Sequence, residues 1–143
     1  MTGFTVREIA WADAETSLAA IRRQVFVVEQ HVPEALEWDC LDDDAIHLLA
    51  TADDSTAIGC ARILAQGRIG RMAVLETWRG RGVGHALLQA AIAACRARGW
   101  HDITLSAQTH ALAFYARAGF VVCSDEYLDA GIAHRDMKLN LSD

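Results

Sequence analysis

Four consecutive segments of this chain, RIGRMAVL (68–75), ETW (76–78), RGRGVG (79–84) and HALLQAAIAACRAR (85–98), read as strand, turn, glycine-rich loop and long helix. The strand carries Ile69, Met72, Ala73, Val74 and Leu75, and the helix repeats apolar residues at spacings of three and four. Gly99 follows where a left-handed helix C-cap is favoured. Between strand and helix, Gly80, Gly82 and Gly84 remove side chains that would keep a ligand from the main chain, and glycine admits unusual dihedrals. The first turn of the helix then presents unpaired N–H groups and the positive end of its dipole, which together suit a phosphate. Arg79 and Arg81 add cationic groups able to pair with phosphate oxygens.

Two familiar phosphate loops are excluded. A Walker A loop needs Lys followed by Ser or Thr at the helix start, whereas Gly84 is followed by His85 and Ala86. A dinucleotide fingerprint spaces its glycines as GxGxxG after the first strand, with an acid ending the next strand. Here the spacing is GxGxG, the loop follows a fourth strand, and Ile103–Ala107 carries no acid.

Working outward, Phe4 to Ile9 predicts a short first strand and Asp13 to about Gln30 a helix, with Leu18, Ile21, Val25 and Val28 on one side. Pro33 and an acid-rich tract form a connection. Strands are expected at Ala45–Thr51, Ala57–Gln66, Arg68–Leu75 and Ile103–Ala107, a helix at Gly82–Arg98, and another at Ala111–Ala118. Phe120–Cys123 and Ala133–Leu141 would close the sheet. The order β-α-β-β-β-α-β-α-β-β predicts one α/β (α+β) domain over 1–143, with helices on both faces of a mixed sheet.

The chain has 143 residues, 52% hydrophobic and 22% charged, which excludes intrinsic disorder. Its net charge of −6 argues against a nucleic-acid partner. No apolar run is long enough for a membrane span, and the start MTGFTVREIAW lacks the pattern of a signal peptide. Cys40, Cys60, Cys95 and Cys123 are scattered without a CxxC pair, so reduced thiols in a cytoplasmic protein are expected, with no metal site. Cys60 and Cys123 fall in apolar strands and Cys95 on the long helix, which leaves Cys40 as the exposed thiol. Charge is unevenly divided. From Glu29 to Asp54 there are nine acids and no Lys or Arg; from Ala57 to Gly84 there are five arginines and one acid. Solvated loops would explain this, and so would a cationic ligand beside the acids and an anionic one beside the arginines.

The loop 79–84 resembles the acetyl-CoA-binding loop of the GNAT N-acetyltransferase superfamily, Gln/Arg-x-x-Gly-x-Gly/Ala. Met72-Ala73-Val74 with Trp78-Arg79, and Ala113-Phe114-Tyr115 with Ala118-Gly119-Phe120, extend the likeness. Val25–Pro33, Glu37, Asp39, His47, Ala107-Gln108-Thr109 and Glu126–His134 are similar to the small bacterial ElaA/YjcF-like branch, in which Pro is usual at the place of Ala133. The resemblance implies a mostly antiparallel sheet of about seven strands, splayed between strands 4 and 5. It also implies acetyl-CoA as cosubstrate, its pantetheine arm beside Met72, Ala73 and Val74 and its pyrophosphate on Arg79, Gly80, Arg81, Gly82, Val83 and Gly84.

Moving an acetyl group from a thioester to an amine requires deprotonating the amine, stabilising the oxyanion and protonating the leaving thiolate. The resemblance assigns the last task to Tyr115 and the oxyanion to the Val74 N–H. Glu29, Glu37, Asp39, His47, His110, Glu126 and His134 are all available as a base, as is ordered water. Glu126 is singled out on the catalytic side, and Glu29 and His134 for the acceptor pocket. The acceptor would be a small-molecule or protein primary amine, the transfer direct, and a homodimer is compatible. An acyl-CoA-binding sensor without turnover is the competing reading.

Overall fold

The structure is a computed structural model describing residues 3–141. Eight strands form one sheet: β1 (Phe4–Ile9), β2 (Ile46–Ala52), β3 (Ala57–Leu64), β4 (Arg68–Val74), β5 (Asp102–Gln108), β6 (Val121–Val122), β7 (Tyr127–Asp129) and β8 (Ile132–Asn140). Their order is β1-β2-β3-β4-β5-β8-β6, with β7 also paired to β8. Every pairing is antiparallel except β4 with β5.

Successive residues of a strand face opposite sides of a sheet, so the consecutive buried residues of β2 and β3 need cover on both faces. Helix α1 (Trp11–Arg22) covers one face, setting Leu18 and Ile21 against Leu49, Cys60 and Ala73. Helix α3 (Val83–Ala97) covers the other, setting Leu87, Leu88, Ala91 and Cys95 among Leu48, Ala50, Ile58 and Ile63. Each fully buried Leu or Ile contributes about 1.5–3 kcal/mol. Helix α3 lies close to the sheet: a Cβ on Gly59 would stand 3.1 Å from Leu87 Cδ1 and 3.1 Å from the Ala73 carbonyl oxygen.

The helix expected to run from Asp13 to Gln30 departs from that expectation after Arg22. Arg23–Glu29 is a π-helical stretch, in which the Gln30 N–H reaches back to the Val25 carbonyl at 3.2 Å. Such wide turns re-aim side chains, and this one sets Phe26, Glu29 and Gln30 along a cleft. Beyond it lie the single turn α2 (Glu34–Glu37) and, later, the short α4 (Leu112–Ala116). Strand β7 was not anticipated; its three residues are too few to show an alternation. Cys123 is exposed, against expectation, because β6 is a two-residue edge strand whose valines are exposed too.

The feature that makes room for a ligand is the parting of β4 from β5. Both have seven residues, yet they pair only at Arg68 with Thr104 and Ile69 with Leu105. Between the pairs Cys60–Ala73 and Arg62–Gly70, β4 holds one residue more than β3, a bulge with Arg71 at φ 50. A bulge bends and twists its strand. From Gly70 onward β4 stays on β3 and leaves β5, as the splay between strands 4 and 5 requires.

Candidate active site

The parting strands open into a cleft of about 530 Å³, walled by β4, β5, the π-helical stretch and Tyr115 of α4. The antiparallel ladder decides which main-chain groups face it. Leu75 N–H bonds the Ile58 carbonyl at 2.9 Å, so by alternation the Val74 N–H and C=O point away from β3, into the gap. Ala73, one residue earlier, is paired with Cys60, so by the same alternation its main-chain groups face β3, and it lines the cleft between Met72 and Val74.

At the mouth of the gap, Gly80 and Gly82 have φ of 76 and 86, and a Cβ on either would meet nothing within 4 Å. The loop therefore needs glycine for its backbone and leaves open space above it. Gly84 differs. It sits in the helix, and a Cβ there would stand 3.4 Å from Phe114 Cζ. The first intrahelical bond of α3 is Ala86 N–H to the Gly82 carbonyl, 3.0 Å, so the Val83, Gly84 and His85 N–H groups point out of the helix start. Loop, helix start and open space fit a pyrophosphate.

The two arginines of the loop have different partners. Arg79 Nε donates to the Val74 carbonyl at 2.9 Å and Nη2 to Glu29 at 2.7 Å. It is a staple between the loop, the end of β4 and the π-helical stretch. Arg81 lies over the Trp78 ring, 4.8 Å from its centroid. Glu29 does line the cleft, with its carboxylate committed to Arg79.

Tyr115 faces the cleft with its hydroxyl 3.9 Å from Met72 Sδ, and its ring is held edge-on by Phe114 and Phe120. Burial pushes its pKa up to about 12. Across from it, His134 lines the cleft with Nδ1 bound to the Ile132 carbonyl at 2.7 Å. His110 lines the cleft as well. Glu126 is exposed between β6 and β7 and is not part of the cleft wall. No cysteine among the described residues lines the cleft, and burial pushes the Cys60 thiol up to about 12.

The acid-rich tract has a third explanation that composition could not supply. Glu37 accepts from Arg22 Nε at 2.8 Å and faces Arg71 Nε at 3.0 Å. Asp42 takes Arg22 at 2.6 Å and Arg62 at 3.1 Å. Asp39 takes Arg62 at 2.8 Å and Arg71 at 3.2 Å. Three carboxylates and three guanidiniums thus alternate in a closed, neutral ring beside the cleft, and Arg22 lies between Trp11 and Trp38. The Arg62 hydrogen bonds hold Asp39 down to about 2. Burial would raise Asp42, but its bonds to Arg22 and Arg62 keep it below the usual range. For Glu37 burial prevails over Arg71 and Arg22, and its pKa is raised. His47, buried against Trp11 with Nε2 at the Asp42 carbonyl, is lowered by burial. Glu37, Asp39 and His47 are therefore parts of the frame. Among the described residues no cluster of three His, Cys, Asp or Glu side chains is placed to hold a metal ion, and no helix is long and apolar enough to cross a membrane.

Comparison with known proteins agrees with this geometry. The family model described as acetyltransferase (GNAT) domain matches residues 11–141. The Bacillus subtilis (strain 168) protein named uncharacterized N-acetyltransferase YjcF is 36% identical over 121 residues, 82% of this chain and 86% of its own. A crystal structure of an acyl-CoA N-acyltransferase from Pseudomonas aeruginosa superposes with TM-score 0.84 at 34% identity, covering 96% of this chain and 99% of that one. Escherichia coli ElaA superposes with TM-score 0.83 at 29% identity, covering 95% and 99%.

Proposed function

Since the chain belongs to the GNAT acetyltransferase family, we propose that it moves an acetyl group from acetyl-CoA directly to a primary amine. The observation that carries this reading is the gap itself. One strand edge, with the Val74 N–H aimed into it, lies between the phosphate-fitting loop and the Tyr115 hydroxyl. An acyl-CoA laid in the gap has its pyrophosphate at Gly80, Arg81, Gly82, Val83 and Gly84. Its pantetheine amides pair with the main chain at Met72 and Val74 in the manner of an added strand. Arg79 holds the loop to β4 and to Glu29 without itself binding phosphate.

In the reaction the amine nitrogen attacks the thioester carbon, and the carbonyl oxygen takes the charge next to the Val74 N–H. A preset donor at that point stabilises the transition state more than the ground state. As the C–S bond breaks, Tyr115 donates its proton or a hydrogen bond to the sulfur. Its raised pKa keeps the phenol protonated and able to donate. That no cysteine among the described residues lines the cleft favours direct transfer over a cysteinyl acyl-enzyme.

The test is release of CoA thiol from acetyl-CoA with a panel of primary amines: n-butylamine, polyamines, aminoglycosides, amino acids and peptides. We expect amine-dependent release, with intersecting initial-rate lines because both substrates must be bound before CoA leaves. A protein that binds acetyl-CoA and releases no CoA with any amine would make it a sensor. An acetylated, turnover-competent cysteine would replace direct transfer with a two-step route.

A further inference from the structure

Beyond β4 the helix α1 no longer covers its face of the sheet, and three polar side chains from three strands meet there. In register, Ser106 of β5 lies opposite Asp136 of β8, and β7 brings Tyr127 beside them. The Ser106 and Tyr127 hydroxyls are hydrogen-bonded to each other. Tyr127 Oη bonds Asp136 Oδ1 at 2.6 Å, and Arg68 Nη2 approaches the same oxygen at 3.5 Å. The His134 ring stacks on Tyr127 with centroids 6.0 Å apart and planes at 18°. Ser106 lines the same cleft as Tyr115 and His134.

The chemistry of the three groups sets the direction of these bonds. A carboxylate only accepts, so the one Tyr127 hydroxyl proton goes to Asp136. Burial and the bond to Asp136 raise the Tyr127 pKa, which keeps that proton in place. In the Ser106–Tyr127 bond the serine must then donate and the tyrosine accept. Ser106 Oγ is left with lone pairs and no proton for the cleft. A group bound beside it can only donate, as an N–H does.

We propose that Ser106, Tyr127 and Asp136 form an oriented proton path that takes the proton shed by the acceptor amine as its nitrogen bonds to the acyl carbon. The inference rests on the N-acyltransferase reading above. The neutral amine attacks with its lone pair, the N–C bond forms, and the nitrogen becomes positively charged. Its N–H proton passes to Ser106 Oγ, the serine proton to Tyr127 Oη, and the tyrosine proton to Asp136 Oδ1. The carbonyl re-forms, the C–S bond breaks, and the electron pair leaves on sulfur, which is protonated at Tyr115. Asp136 gives up its proton to water and Tyr115 regains one, leaving amide and thiol. Ser106 is the group that meets the amine; Tyr127 and Asp136 act through it.

The experiment uses the intact protein, acetyl-CoA and whichever amine of the panel above, n-butylamine included, gives the fastest CoA release. Ser106→Ala removes the first link. Asp136→Asn keeps the size and can still accept the Tyr127 hydrogen bond, but it cannot take up a proton. Both are expected to lower kcat about 10²-fold, the scale of general base assistance. Calorimetric affinity and KM for acetyl-CoA should stay within twofold, which also shows that the variants are folded. Tyr127→Phe should fall in kcat by tenfold or more with the same affinity. Variants that keep kcat within twofold of wild type, or that lose acetyl-CoA affinity in step with kcat, overturn the proton path. A wild-type protein inert toward every amine overturns the N-acyltransferase reading itself, before any variant is compared.

Discussion

What Tyr115 brings to the cleft is a hydroxyl that keeps its proton. With its pKa pushed up to about 12 by burial, it is not ionised at working pH, and titration of kcat near neutrality must come from another group. A hydrogen bond to sulfur is weak in the thioester and strong once charge gathers on the leaving thiolate, so its loss should appear in kcat more than in KM. We expect Tyr115→Phe to lower kcat about 10²-fold, the lower end for general acid assistance because water can enter in its place. The ring and its edge-on packing on Phe114 and Phe120 remain, so stability should change by no more than about 1 kcal/mol. Steady-state rates for both substrates, with a thermal melt, check this; full kcat in the variant would leave sulfur protonation to solvent.

Between elements, the ion ring ties Arg22 at the end of α1, Arg62 of β3 and Arg71 in the bulge of β4 to the segment around α2. None of this was legible in sequence, where the same residues read as two blocks of opposite charge. Pairing across 15 to 34 positions leaves no local pattern. The Ser106, Tyr127 and Asp136 group was equally hidden: polar residues alternating with Leu105, Ala107 and Met137 read only as the solvent side of a strand. By contrast α3 was legible to within a residue at each end, because an apolar stripe, the glycine-rich loop before it and Gly99 after it agree. The ring predicts how stability depends on pH. His47 has a folded pKa below 6.5, so below about 6.5 the unfolded chain binds the proton more readily and stability falls with pH. Asp39, held at about 2 against 3.8, is a second source of loss as pH drops from near 3.8 toward 2. Glu37, raised from 4.5, acts in the opposite sense and blunts the slope between the two. Urea unfolding across pH should show both declines, with His47→Gln flattening the first and Asp39→Asn the second; identical profiles in the variants would contradict the ring's electrostatics.

Over the whole molecule, one bulge converts a continuous sheet into a sheet with a slot. Arg71 at φ 50 sits at the bulge, β4 keeps its pairing with β3 while parting from β5, and the exposed edge leads to the glycine loop and the start of α3. The acid tract of the N-terminal half, which by composition fitted either solvated loops or a cationic ligand, contributes the ion ring beside this slot, with Glu29 on Arg79 and Gln30 on Gln108 at the rim. The central claim, that acetyl-CoA lies in the slot with its pyrophosphate on the loop, is tested most directly by calorimetric titration of acetyl-CoA into wild type and Gly82→Val. A side chain at Gly82 meets no protein atom within 4 Å. The protein should therefore stay folded, losing roughly the 1–2 kcal/mol of a left-handed non-glycine residue, while the branched side chain fills the space the pyrophosphate needs. We predict at least a tenfold loss of affinity, about 1.4 kcal/mol. Unchanged acetyl-CoA binding in a folded Gly82→Val protein would contradict the placement of the cosubstrate on this loop.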